Sequence, residues 1–360
     1  MKRFPFLLTL LSPLLLCAQD QECKDFNTRL TQLERDVRCR KCYNPPNPVN
    51  GREGYHLTLV GDYLYWKGQE DGLAYTYKTN NPSGASLDTD IDVKEPDFEW
   101  ESGFRLGLGY NIPHDRWDLY ISWIDFEAEA DDHVEVDSDD GLFPYWAYPS
   151  GPAGDLFFPK ANAHWHTDLD VIDVELGKSY YVGKRTSLRP HLGLRGFWID
   201  QHYHIQYQGA TVPILLTTLN DSIKMHNNYW GVGPRVGLNM EWWLGNAFQV
   251  YGQAAISLVY GEFEIHQKEE FPDSDDSELH FKDDLHIARP VTDLGIGLGW
   301  NSTYGCDSLH LLVRVGWEQH IFFDQNQFIR FVSSDTSSSL LSNRGDLSLE
   351  GLTASIRLDF

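Results

Sequence analysis

From Tyr55 to the C-terminus the chain alternates apolar and polar residues with a period of two. In residues 98–112 the even positions Phe98, Trp100, Phe104, Leu106, Leu108, Tyr110 and Ile112 are apolar, with Ser102 the exception. The odd positions carry Glu99, Glu101, Gly103, Arg105, Gly107, Gly109 and Asn111. Trp230, Val232, Val236, Leu238, Met240, Trp242 and Leu244 repeat the pattern against Gly231, Gly233, Arg235, Gly237, Asn239 and Glu241. Leu309, Leu311, Val313, Val315 and Trp317 alternate with His310, Arg314, Gly316 and Glu318. Successive side chains of a strand point to opposite faces. One face is therefore greasy and the other charged or bare, which is what the wall of a transmembrane barrel needs. Gly295-Ile296-Gly297-Leu298-Gly299 follows the same rule, and with no helix after it, it is wall rather than a nucleotide loop.

The spacing predicts strands near 55–66, 98–112, 115–128, 163–182, 186–207, 226–244, 247–266, 284–300, 306–321 and 346–360. That makes an all-β, antiparallel transmembrane barrel of about ten strands. Tyr75 and Tyr77 alternate inside the first long connection, so twelve is the other even count. Connections near 111–116, 182–186, 244–247 and 301–306 are short, and those between them long, matching periplasmic turns and outer loops. An even count puts both chain ends in the periplasm. Tyr110, Trp117, Tyr180, Trp242, Trp243, Phe248 and Trp300 sit beside the short turns. Tyr65, Trp66, Trp100, Trp123, Trp165, Trp198, Tyr229, Trp230 and Trp317 lie toward the long ones, predicting two aromatic girdles. Leu352, Ala354, Ile356 and Leu358 alternate out to Phe360, and such a terminal aromatic resembles the signal read by the barrel-assembly machinery. A soluble β-sandwich explains the period but neither the girdles nor the loop asymmetry.

The first residues have the order of a secretory signal: Lys2 and Arg3, an apolar run from Phe4 to Leu16, and a cleavage point at Ala18. Leu16 directly before Cys17 argues against a lipoprotein signal. In residues 20–42, Phe26, Leu30, Leu33 and Val37 recur at helical spacing, and Asn44-Pro45-Pro46-Asn47-Pro48 ends the helix as a stiff linker. The expected organisation is a signal peptide over 1–18, a periplasmic extension over 19–53 and an outer-membrane barrel over 54–360.

Charge narrows the partners. The chain has 29 Lys+Arg against 53 Asp+Glu, a formal charge of −24, which excludes a nucleic-acid binder. Acids concentrate in two runs, Glu127 to Asp140 and Glu269 to Asp284, expected to be solvated loops. No internal stretch reaches the 18 or so apolar residues of a membrane helix, a test that barrels evade.

Several stretches carry a family resemblance. One is Tyr63-Leu64-Tyr65-Trp66-Lys67 followed by Glu70-Asp71-Gly72-Leu73. Residues 98–110 run into Pro113-His114-Asp115 and Trp117-Asp118-Leu119-Tyr120. Asp173-Val174-Glu175-Leu176-Gly177 leads through Tyr180-Tyr181 and Leu188-Arg189-Pro190 to Gly193-Leu194-Arg195. Together, over roughly residues 54–360, they resemble the Legionella-type major outer membrane proteins, a pore-forming family that also has members in chlamydia-related bacteria. The resemblance implies a porin-like role in passive diffusion of small hydrophilic solutes, and supplies no catalytic residues.

Strand phase puts Arg105, Asp173, Glu175, Arg189, Arg195, Arg235, Glu241, Arg314 and Glu318 on the lumen side. Opposed rows of such charges would create a transverse field that sorts solutes. Alternatively they pair and fill the bore, since eight strands leave room only for side chains and open porins use sixteen or more. A surface barrel with a structural or adhesive role is the other reading. A rim protease is a third, because Asp284 and His286 stand in D-x-H spacing with Asp88, Asp90 and Asp92 as further carboxylates; the expectation is no enzyme. His164, His166 and Asp168, or His202 and His204, share strand faces without spacing that closes a metal site. The acidic segments 137–141 and 273–276 lack the order of a calcium loop. Neither metal nor cofactor is expected. Cys23, Cys39, Cys42 and Cys306 share the oxidising periplasm and are disulfide candidates, within the chain or to neighbours, as the cross-linked envelopes of chlamydial-type bacteria also suggest. Expected partners are outer-membrane lipid, lipopolysaccharide, the assembly machinery and a second copy.

Overall fold

The alternation is used by ten long strands: β1 His56–Glu70, β2 Trp100–Asn111, β3 Trp117–Glu135, β4 Lys160–Lys178, β5 Thr186–Val212, β6 Thr217–Gly245, β7 Phe248–Glu270, β8 Glu278–Tyr304, β9 Leu309–Asn326 and β10 Gly345–Asp359. This computed structural model describes residues 56–80, 90–112, 117–137, 140–149, 153, 156–183, 185–212, 217–245, 247–271, 278–304, 309–334 and 337–360. The signal segment, the N-terminal helix, the linker and every cysteine lie outside the described residues.

Each strand pairs antiparallel with its sequence neighbours, and β10 pairs with β1, which closes the barrel and leaves no open edge. Closure is sealed where Leu57 and Phe360 exchange backbone hydrogen bonds of 3.2 and 2.9 Å. The short turns and both ends of the barrel chain therefore share one rim, the periplasmic one. At the β6–β7 turn Gly245 takes φ 118, a left-handed conformation that favours glycine.

Ten strands is thus the count. The segment around Tyr75 and Tyr77 does form a strand, Thr76–Thr79, but it joins Ile91–Lys94 and Gly141–Pro144 in a separate small sheet. Ile329–Ser334 and Ser337–Ser342 make a further hairpin. The strands also run farther than the apolar pattern. The acidic run beginning at Glu127 was expected in a loop, yet it continues β3 to Glu135. Above the membrane neither face of the wall needs to be greasy, so pairing persists after the apolar signature has faded.

Outward residues form the lipid band, among them Leu57, Leu59, Leu106, Leu108, Ile121, Val174, Leu192, Leu194, Val236, Ile256, Ile296 and Ile356. Its outer edge is marked by Tyr65, Trp100, Trp123, Trp198, Trp230, Tyr260 and Trp317, all exposed. Tyr65 stacks on Trp100 at 5.5 Å, and Trp100 meets Trp317 edge-on at 5.9 Å. Four expected girdle rings, Trp66, Trp165, Tyr229 and Trp243, are instead buried inside. Period two explains it: Tyr65 and Trp66, Tyr229 and Trp230, and Trp242 and Trp243 are adjacent and must face opposite sides. Phe98 also departs from the outward series, because a break at Glu99 separates it from β2, and its ring packs on buried Trp165 at 5.6 Å.

Candidate functional site

All nine lumen-side charges read from strand phase do line the interior, around a cavity of about 220 Å³ that extends from the short-turn end. The inward glycines of β8 make room there. A side chain at Gly295 or Gly299 would run into Gln253 or Gln249 of β7, so those bare positions accept their neighbours' bulk.

The charges pair across the bore as well as along the wall. Arg105 on β2 reaches Asp62 at 2.5 Å and forks onto Glu318 of β9 at 2.9 and 3.0 Å. Arg195 on β5 makes two bonds to Asp173 of β4, at 2.7 and 2.6 Å, and spans the lumen to Asp293 of β8 at 3.0 Å. Arg235 on β6 bonds Asp293 and approaches Glu175 at 3.3 Å. Arg189 pairs with Asp118 and with Glu175, the latter at 3.0 Å. Arg314 pairs with Glu241. His320 sits between Asp293 at 2.7 Å and Glu318 at 3.4 Å. Nearer the rim, Asp359 gathers Thr58, His310 and Arg357 at 2.6, 3.0 and 2.8 Å.

Asp62, Asp118, Asp293, His320, Arg357 and Asp359 belong to this network and were missed by the sequence reading. Their inward phase was available as a signal: each lies between outward neighbours on its strand. What phase alone does not supply is the partner, because pairing across the bore depends on closure and register.

Above the ionic layer the interior turns apolar. Trp66, Phe126, Phe197, Tyr229, Phe263 and Phe322 are buried side by side. Trp66 contacts Phe126 at 5.5 Å and His320 at 4.7 Å. Phe197 meets Tyr229 at 5.0 Å and Phe322 at 5.1 Å; Tyr229 meets Phe263 at 4.4 Å. The Phe197–Phe322 contact joins β5 to β9, strands that do not neighbour each other in the wall, so rings meet through the middle of the bore. Higher still, Gln201 of β5 donates to Glu70 of β1 at 2.9 Å, and Asn227 of β6 donates to Gln201 at 2.7 Å and to the Gln325 carbonyl at 3.0 Å.

The outer loops fold onto this plug. The Tyr203 hydroxyl donates to the Leu73 carbonyl at 2.5 Å, and the Trp146 indole to the Ala74 carbonyl at 2.8 Å. Trp146, Tyr203 and Phe328 form a ring triad with centroids 6.0 to 6.3 Å apart. The Tyr148 amide lies 3.1 Å from both oxygens of Glu269. Glu269 and its neighbour Asp221 are buried at the far ends of β7 and β6, well outside the membrane, and burial raises both above the usual carboxylate range. A raised acid pKa favours the folded state below the unfolded value and loses that favour as pH rises through the folded one. Loop 141–149 should therefore loosen as pH climbs from about 5 through neutrality. The protection of that segment against hydrogen exchange, taken relative to the intrinsic rate at each pH, should fall over that range, and Glu269→Gln should flatten the fall; constant protection across the range would refute it.

Asp284 and His286 face outward on β8, where Lys282 lies 3.6 Å from Asp284 and Glu262 lies 3.6 Å from His286. Asp92 pairs with Lys94 at 2.6 Å in the small loop sheet, and the Asp90 amide donates to Asn80. Asp88 lies outside the described residues.

The model of one protein family, described as Legionella pneumophila major outer membrane protein precursor, matches residues 52–360. No curated protein matches. Among solved structures, the outer membrane protease OmpT from Escherichia coli is similar at 10% identity, covering 86% of this chain and 99% of that one, with TM-score 0.42. The Pseudomonas putida toluene transporter TodX is similar at 10% identity over 87% and 92%, TM-score 0.33. The Yersinia pestis attachment invasion locus protein Ail follows at 11% over 85% and 99%, TM-score 0.24.

Proposed function

The chain belongs to the Legionella major outer membrane protein family, and on that premise we propose that this outer-membrane barrel is structural and closed to solutes at rest. The observation that carries this reading is the contact of Phe197 with Phe322 through the bore, above an ionic layer that also pairs across it. A solute would have to displace rings that are fully buried and carboxylates that already hold guanidinium partners. Separating such a pair without a new partner for each charge leaves buried charges uncompensated, which is strongly unfavourable. The reading assigns no catalysis to Asp284 and His286, which stand beside Lys282 and Glu262 on the outer face of β8.

Porin-like passive diffusion is the second reading. The charged cavity favours it, because a polar chamber beginning at the periplasmic rim is half of a route. It requires the aromatic plug and the loops above it to move. Swelling of liposomes that contain the refolded chain, in a small neutral sugar, separates the two. Rates equal to protein-free liposomes are expected; rapid, size-dependent swelling would overturn closure in favour of diffusion.

A further inference from the structure

Outside the outer girdle, the outward positions of neighbouring strands line up in rows set by the register. One row joins Glu129 to His166, His166 to His202, His202 to His226, His226 to His266, and His266 to Lys282. Four adjacent strands, β4 to β7, thus present four imidazoles side by side in one row on the outer wall. The rings of His202 and His226 lie 4.4 Å apart, edge to face, and His166 follows at 6.4 Å.

The surroundings decide what such a row can hold. On the membrane side the next row is Glu127, Asp168, Asp200, Asn228, Glu264 and Asp284. On the outer side it is Asp131, His164, His204, Lys224, Lys268 and His280. Carboxylates outnumber ammonium groups, so an anionic headgroup would be repelled and a cation drawn in. His166 lies between Glu129 at 3.3 Å and Asp168 at 3.2 Å, and His202 lies 3.3 Å from Asp200. Carboxylates so placed orient imidazoles and raise their basicity as ligands. A neutral imidazole has the lone pair that a borderline metal ion takes.

We propose that His202 and His226, with Asp200 as third ligand and His166 or His266 at the flank, form a surface site for a divalent transition-metal ion of the zinc class. Among the described residues no three such side chains already converge on one point, so binding turns the rings about their own torsions. Directly opposed cross-strand residues have Cβ atoms only about 5 Å apart, which keeps that turn short. Pairs along one strand, His164 with His166 or His202 with His204, suggested no closed site in the sequence; pairs across strands supply what was lacking.

Titration calorimetry tests this with zinc chloride added to the full-length refolded chain in detergent, its cysteines alkylated to remove competing thiolates. Saturable uptake of about one ion per chain is expected, as for a tetrahedral site completed by water. Loss of the isotherm is expected in His202→Ala/His226→Ala and in the bulkier His202→Gln/His226→Gln. It should persist in His164→Ala/His204→Ala. Unaltered heat-modifiable gel migration establishes that a variant barrel is folded. No saturable uptake by the parent chain, or an isotherm unchanged in both paired variants, would overturn the site.

Discussion

Replacing Arg195 by methionine should destabilise the barrel by about 3–5 kcal/mol, among the largest effects expected of a single change. Arg195 is 2% exposed, binds Asp173 through two nitrogens and reaches Asp293 on β8, three strands away around the barrel. Without it, buried Asp173 loses its main counter-charge, because Arg235 stands 3.7 Å away, whereas Asp293 keeps Arg235 and His320. Methionine fills similar volume, so the loss reports charge rather than a cavity. Arg195→Met/Asp173→Asn should recover part of it, since removing both partners is milder than orphaning one. Tryptophan fluorescence through urea unfolding in micelles measures the midpoint; a parent-like value for Arg195→Met would show that water, not Arg195, satisfies Asp173.

Truncating the plug should have the second large effect, on stability and passage together. Phe197→Ala or Phe322→Ala is expected to cost about 3–5 kcal/mol, the range for removing a buried aromatic. The two rings touch, so the double variant should lose less than the sum of the singles. Because their contact spans the bore, the double variant is also the one expected to leak small ions. A tight, silent double variant would mean that the ionic layer or the loop cap suffices to seal the barrel.

Alternation alone made all ten wall strands legible, because a membrane wall must be apolar on one face and a filled or wet interior tolerates charge on the other. It also placed Arg105, Asp173, Glu175, Arg189, Arg195, Arg235, Glu241, Arg314 and Glu318 inside. It underestimated strand length where both faces leave the bilayer, as from Glu127 to Glu135. It misassigned Trp66, Trp165, Tyr229 and Trp243 because it grouped rings by height, whereas phase decides whether a ring meets lipid or the plug. The aromatic content that suggested two girdles is divided between girdle and interior. The histidine row escaped notice for a different reason. His166, His202, His226 and His266 are far apart in sequence and become neighbours only through register, which hydrophobic pattern does not encode.

Planar-bilayer recording of the refolded, unmodified chain bears most directly on closure. The cross-lumen contacts of Phe197 with Phe322, Arg105 with Glu318 and Arg195 with Asp293 predict a silent membrane at moderate voltage, with channel steps appearing in Phe197→Ala/Phe322→Ala. Repeatable conductance steps from the unmodified chain would contradict the account and return this barrel to the open porins.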